Sequence, residues 1–451
     1  MKILNRFQET YVMMRLSFGI VPKKGIQSMA IFLDPPGEKS KLSPLSYIAE
    51  VAIRHVQGAN SADDKDSLGS GAIASTRIDG DVVIKNWHNG SQELSDQLAK
   101  IERLLESRSL TKLALLGSRV AIIRRIIDHK PLVLGFVDVL RQELDPKKEA
   151  ANLKRFAELE ILQELGVGVP TPISATETSL RMTRLKGEQL AEFTGQLSAD
   201  SRLPDMRVGN EPKFSLSAAL KILLNTGEND SVRLASESKV PNGELPLNGG
   251  QAVELMTQLM QVQLSACFDE NLLHADPHPG NILISINGEE IQLNIVDFGH
   301  LQDLTADQSQ ALEGLLISLT PFGAEGREDK IRIAMKQFKI FKSNEAPHKL
   351  LAYIDDSLDQ LTKGEKSFRS FIVGTVKEIF KSGGTLTPEF IFSMRMLLCS
   401  YDSCKSIYKL GNKDHKAFDS SFLSTLGVAL IPRILNAAST KPSKPSSTPS
   451  L

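Results

Sequence analysis

His274-Ala275-Asp276-Pro277-His278-Pro279-Gly280-Asn281, followed after two apolar runs by Asp297-Phe298-Gly299, decides how this chain is read. Phosphoryl transfer asks little covalent chemistry of a protein. It needs one carboxylate to orient an attacking hydroxyl, and a carboxylate plus an amide to hold the metal ions that bridge ATP phosphates. Asp276, Asn281 and Asp297 fit those three roles, and the spacing from Asp276 to Asn281 is that of the kinase catalytic loop H-R-D-x-x-x-x-N. Between the motifs, Ile282-Leu-Ile-Ser-Ile286 and Glu290-Ile-Gln-Leu-Asn-Ile-Val296 are β-rich runs joined at Asn287-Gly288, a dipeptide suited to a type I′ turn. A hairpin returns the chain to its start, so Asn281 and Asp297 are expected at the same end of two paired strands.

Upstream, Leu68-Gly69-Ser70-Gly71-Ala72-Ile73-Ala74 reads as a glycine-rich turn before a strand, an Asp79-Gly80 turn and a second strand ending Val82-Val83-Ile84-Lys85. Glycines let backbone N–H groups approach phosphates, and a lysine on the paired strand brings an ammonium to the same place. Gly69, Ser70, Gly71, Ala72 and Lys85 are therefore candidate nucleotide contacts. Asp145-Pro146 predicts a helix start, with aspartate as cap and proline at the first position. On that helix Glu149, Leu153 and Phe156 share one face. A carboxylate beside an apolar stripe needs a cation, and Lys85 is the natural candidate; Glu143 is a second acidic partner, and a plain first-turn acid is the alternative for Glu149. Leu180-Arg181-Met182-Thr183-Arg184-Leu185-Lys186-Gly187 reads as a strand passing from one lobe to another, which makes Met182 and Arg184 candidates for contact with the adenine edge.

The 451 residues exceed one usual core, so two lobes are expected. Lys plus Arg number 53 and Asp plus Glu 54, a net charge of -1 that provides no field for attracting nucleic acid. Three cysteines, Cys267, Cys399 and Cys404, are too few for a disulfide framework and suit a reducing compartment. No apolar run reaches the ~18 residues of a spanning helix. Tyr11–Val21 is split by Arg15 and lacks a small-residue cleavage site, so a cytoplasmic location is expected. Phe422–Ile431, ending before Pro432-Arg433, reads as a short packed helix that could also touch a membrane surface. The expected architecture is an α+β, two-lobed protein-kinase-like fold. It comprises an N-terminal helical extension (1–60), a small β-containing N-lobe (61–185), a mostly helical C-lobe (186–425) with a polar insertion at about 194–250, and a C-terminal segment (426–451) with a disordered tail rich in Ser, Pro and Lys.

These motifs together resemble the UbiB/AarF (ABC1-type) family of atypical protein-kinase-like proteins. His274–Asn281 matches that family's hallmark, and Val82–Lys85, Glu143–Asn152, Met182–Gly187 and Asp297–Gly299 follow in its order, over roughly Leu68 to Leu319. The resemblance implies an ATP-binding, magnesium-dependent atypical kinase or ATPase associated with ubiquinone and isoprenoid-lipid metabolism. Lys85 would hold phosphates, Glu149 would position Lys85, Asp276 would orient the hydroxyl or water, and Asn281 with Asp297 would bind metal. It also implies partners in a lipid-metabolic protein complex at a membrane periphery. The sequence departs from the family in three places. Lys23-Lys24-Gly25-Ile26 is a degenerate form of the family's K-x-G-Q, Gly69-Ser70-Gly71 replaces its alanine-rich loop, and the polar insertion is long.

Ala275 stands where H-R-D has the arginine that pairs with a phosphorylated activation loop, and no A-P-E follows Gly299. A small or lipid-like acceptor is expected rather than a protein. His278 and His300 are expected to serve structural hydrogen bonds. Two alternatives are a small-molecule phosphotransferase similar to the aminoglycoside and choline kinases, and a non-catalytic nucleotide-switched binding protein.

Overall fold

The computed structural model describes residues 67–70, 74–87, 99, 102–103, 141–142, 144–193, 247–287, 290–320, 323, 325–342, 347–411 and 417–439. The N-terminal extension, Gly71, Ala72, Glu143, nearly all of the polar insertion, the Asn287-Gly288 turn beyond Asn287 and the C-terminal tail lie outside them.

Strands β1 (Ser67–Ser70), β2 (Ala74–Asp79), β3 (Val82–Trp87), β4 (Pro172–Ala175) and β5 (Ser179–Thr183) form one antiparallel sheet in the order β1-β2-β3-β5-β4. Asp79 pairs with Val82, so the β2–β3 turn is Gly80-Asp81, and Gly80 supplies the positive φ of 60° that such a turn demands. Gly69 and Ser70 do not form the expected turn. They are the last residues of β1, with Gly69 opposite Thr76, because pairing with β2 continues until residues 71–73.

Helix α1 (Pro146–Ala157) begins as its sequence predicts: the Asp145 side chain accepts from the backbone N–H groups of Lys147 and Lys148, with proline at the first position. It buries Glu149, Asn152, Leu153 and Phe156, three to four residues apart, on one face. After the short α2 (Glu160–Glu164) and strands β4 and β5, the chain leaves this sheet through Gly187. Gly187 has φ 127°, and a Cβ there would stand 2.9 Å from the backbone of Ile284, so neither conformation nor space admits a side chain.

Strand β6 (Glu188–Gln189) then joins a second sheet, β6-β8-β9, whose hairpin is the expected one. β8 (Ile282–Asn287) pairs with β9 (Glu290–Ile295) in unbroken register from Ile282 opposite Ile295 to Asn287 opposite Glu290. A third, two-stranded sheet pairs β7 (Leu272–His274) with β10 (Leu301–Asp303). The remainder is helical. α3 (Leu190–Phe193) precedes α4 (Gly249–Asp269), which opens with an Asn248/Gln251 capping box and buries Leu255, Met256, Leu259 and Met260. Then come α5 (Ala306–Leu319), α6 (Arg327–Gln337), α7 (His348–Thr362), α8 (Phe368–Lys381), α9 (Pro388–Gly411) and α10 (Phe418–Ser439). α4 is the central post, packed against α9 and α10. A sheet-bearing lobe joined through one glycine to a mostly helical lobe is the α+β, two-lobed, kinase-like arrangement expected from the motifs.

α10 corrects one expectation: it passes Pro432 instead of stopping there. Proline in a helix loses the bond to the carbonyl four residues back. That residue is Val428, 48% exposed, and Pro432 is exposed as well, so this face of the helix meets water, which can replace the missing donor. The window Phe418–Leu435 has the length and composition to cross a membrane, but 39% of it is buried against the protein.

Candidate active site

Pairing across the first sheet aligns Gly69, Thr76, Lys85 and Leu180 in one row. β1 is thereby fixed two strands, about 10 Å, from the lysine. The Lys85 ammonium is 2.8 and 2.9 Å from the two Glu149 carboxylate oxygens and 3.4 Å from Asp297 Oδ1, with Trp87 beneath it at 5.2 Å. Burial alone would lower the lysine's pKa, but Asp297 and Glu149 outweigh it and hold the ammonium above the ordinary lysine range. The expected Lys85–Glu149 pair is present, and Glu149 is only 3% exposed, so its charge is compensated inside the fold.

Asp297 has φ 68°, a left-handed conformation rare for a residue with a Cβ. Its surroundings hold it there. His274 Nε2 lies 3.0 Å from the Asp297 carbonyl, Gly299 N–H donates to Asp297 Oδ1 at 3.2 Å, and Asn152 Nδ2 donates to the Phe298 carbonyl at 3.1 Å. The Phe298 ring is buried against Phe156 of α1 at 4.7 Å and His274 at 5.1 Å. Helix α1 therefore supplies a hydrogen bond and a ring to this turn, and through Glu149 an ion pair to the lysine that reaches Asp297.

A carbonyl can only accept, so His274 must donate from Nε2 and leave Nδ1 toward Gln263 Nε2 at 3.4 Å. That is the neutral tautomer, and burial accordingly pulls the pKa down to about 4. The unfolded chain then binds a proton between about pH 6.5 and 4 that the folded protein refuses, so stability falls as pH drops through that window. The His274 contribution is about 3 kcal/mol. Denaturant titrations at pH 7 and pH 4.5 should show that loss, and a His274→Gln variant should lose less between the same two pH values.

Asp276 is buried at the start of the catalytic loop. Asn281 Nδ2 donates to its carbonyl at 2.9 Å, and Val296 N–H donates to the Asn281 carbonyl at 2.9 Å, so the amide and Asp297 share one end of the β8–β9 hairpin as expected. The Asn281 nitrogen is spent on that bond, which makes its oxygen the donor for a cation. His278 Nδ1 accepts from Gly280 N–H at 2.9 Å and caps the 3₁₀ turn Pro279–Asn281, a structural role. His300 contributes its carbonyl to Ala275 N–H at 3.0 Å.

Sequence reasoning missed Arg395. Its Nη2 is 2.7 Å from Asp276 Oδ1, so a cation does reach the catalytic loop although Ala275 is not one. The available signal was a lone arginine inside Phe390-Ile-Phe-Ser-Met-Arg395-Met-Leu-Leu398, a stretch that must otherwise be buried.

Met182 and Arg184 are not brought to the Lys85 cluster by any contact of their side chains. Met182 is buried in the sheet core opposite Val83, and Arg184 is exposed, with its backbone N–H on the Asp81 carbonyl and Nη1 3.5 Å from the Gly80 carbonyl.

Asp297 and Asn281 provide a carboxylate and an amide oxygen, the hard donors that suit magnesium. Among the described residues no cluster of three His, Cys, Asp or Glu side chains could hold a metal by itself.

Residues 239–326 match the ABC1 atypical kinase-like domain, the stretch from before α4 through the catalytic loop, the hairpin and Asp297-Phe298-Gly299 into the loop after α5. This agrees with the resemblance to the UbiB/AarF family and supports an atypical kinase-like reading of this stretch. A solved structure described as the complex of Rv3197 with erythromycin from Mycobacterium tuberculosis is similar at 16% identity over 85% of each chain, with a TM-score of 0.41. No curated protein matches the chain.

Proposed function

We propose that this protein binds Mg-ATP between its two lobes and acts as an atypical kinase or ATPase of the UbiB type. The observation that carries this reading is the meeting of Lys85, Glu149 and Asp297 within 3.4 Å, from residues 64 and 212 positions apart, beside Asn281 and Asp276. Lys85 would bind phosphate oxygens, and Glu149 would keep its ammonium in place. Asn281 and Asp297 would hold the magnesium, whose positive charge offsets that of the phosphates when it is bound. Asp276 would orient the acceptor hydroxyl or a water.

The chain after Gly299 supports a small or lipid-like acceptor over a protein. It enters β10 within two residues and α5 soon after, leaving no long segment to dock a peptide. A role in ubiquinone or isoprenoid-lipid metabolism, within a lipid-metabolic protein assembly, follows from the family resemblance, and the apolar α10 is suited to contact a membrane periphery.

Calorimetric titration of ATP with and without magnesium tests the assignment. Magnesium should strengthen binding to the parent, and Asp297→Asn should lose most of that gain. Equal Mg-ATP affinity in the variant and the parent would contradict the metal role of Asp297.

A further inference from the structure

We infer that Arg395 of α9 is a positioning residue for Asp276, clamping one carboxylate oxygen so that the other is aimed at the acceptor; this rests on the kinase or ATPase reading above. Arg395, Cys399 and Ser403 are spaced four residues apart and share one face of a helix whose neighbours Met394, Met396, Leu397 and Leu398 are buried apolar side chains. All three reach the catalytic loop. Arg395 Nη2 is 2.7 Å from Asp276 Oδ1, Cys399 Sγ is 3.7 Å from the same oxygen, and Ser403 Oγ donates to the Pro277 carbonyl at 2.7 Å.

The two oxygens of Asp276 have different surroundings. Oδ1 lies at full hydrogen-bond distance from a guanidinium that is itself only 17% exposed. Oδ2 stands 3.9 Å from His278 Nε2 and 3.8 Å from His300 Nδ1. A carboxylate held at one oxygen cannot rotate freely about its terminal torsion, so the direction of Oδ2 is set before substrate arrives. Orientation of that kind is worth large factors in rate, and misplacement by about 1 Å can lose about 100-fold. The serine bond fixes the backbone of the loop, whereas the arginine supplies the charged contact to the carboxylate.

The test uses the full chain and compares Arg395→Met, Arg395→Lys, Ser403→Ala and the double variant Asp276→Asn/Arg395→Met. ATP turnover and Mg-ATP affinity are measured for each. Arg395→Met should lower kcat about 10- to 100-fold and leave the KM and affinity for Mg-ATP within about 2-fold. Arg395→Lys should recover part of that loss, since it keeps the charge but lacks the planar fork. Ser403→Ala should retain most of the parent's kcat. Adding Arg395→Met to Asp276→Asn should remove little further activity, because the arginine acts through the aspartate.

Parental kcat in folded Arg395→Met, or losses that simply multiply in the double variant, would overturn the inference while leaving the enzyme reading intact. Should Arg395→Met not fold, Arg395→Lys decides, and parental kcat there counts against the clamp. A parent chain that binds Mg-ATP without turnover overturns both readings together.

Discussion

Replacing Lys85 with methionine should abolish measurable Mg-ATP binding and destabilise the free protein by about 3 kcal/mol at neutral pH, the lower end for removing one member of a buried ion pair. The lower end applies because the Lys85 side chain keeps 18% of its surface and Asp297 keeps 42%, so water screens part of the charge. The loss arises because Glu149 and Asp297 both point at one ammonium. Without it, two carboxylates face each other across the gap, and Glu149, at 3% exposure, has little water to turn to. Each carboxylate then disfavours the charge of the other, and protonation of one relieves the repulsion. The stability deficit should therefore shrink as pH falls from 7 toward 5, and millimolar magnesium should shrink it at constant pH. Chemical denaturation across that range provides the check. A Lys85→Met chain as stable as the parent at pH 7 would mean that the ammonium is not the counterion of this cluster.

Asp276→Asn should lower kcat by about 10²- to 10⁴-fold, the range expected when a positioned acid or base is removed. Mg-ATP affinity should change little, since the proposed metal donors are Asn281 and Asp297 and the proposed phosphate ligand is Lys85. The substitution keeps shape and hydrogen-bonding capacity but removes the charge opposite Arg395, so thermal unfolding has to be measured on the same preparation. A folded variant with unchanged kcat would exclude Asp276 as the orienting group. Loss of nucleotide affinity in parallel with kcat would instead show that Asp276 holds the site together.

Much of this site was legible from short-range pattern. The Asp145-Pro146 helix start and the hairpin from Ile282 to Ile295 are both local events, written within a few residues by turn chemistry, side-chain period and capping. The Lys85–Glu149 pair was also accessible, because a carboxylate on an apolar helix face demands a cation and the motif order offered one. Other features left no such mark. Gly69 and Ser70 read as a turn yet extend β1, since the paired strand alone decides where the ladder ends. Pro432 read as a stop, yet the helix continues, because the proline lies on an exposed face.

The amino-acid order by itself determined which groups are available for the proposed phosphate chemistry and which local elements carry them, since these depend on neighbours a few bonds away. Tertiary packing decided how those groups are held: Asp297 in a left-handed conformation beneath His274, and Asp276 against Arg395 from 119 residues downstream. Distance along the chain sets no distance in space. Only once α9 and α1 are buried against the catalytic loop does the cost of an uncompensated internal charge select which cation meets which carboxylate.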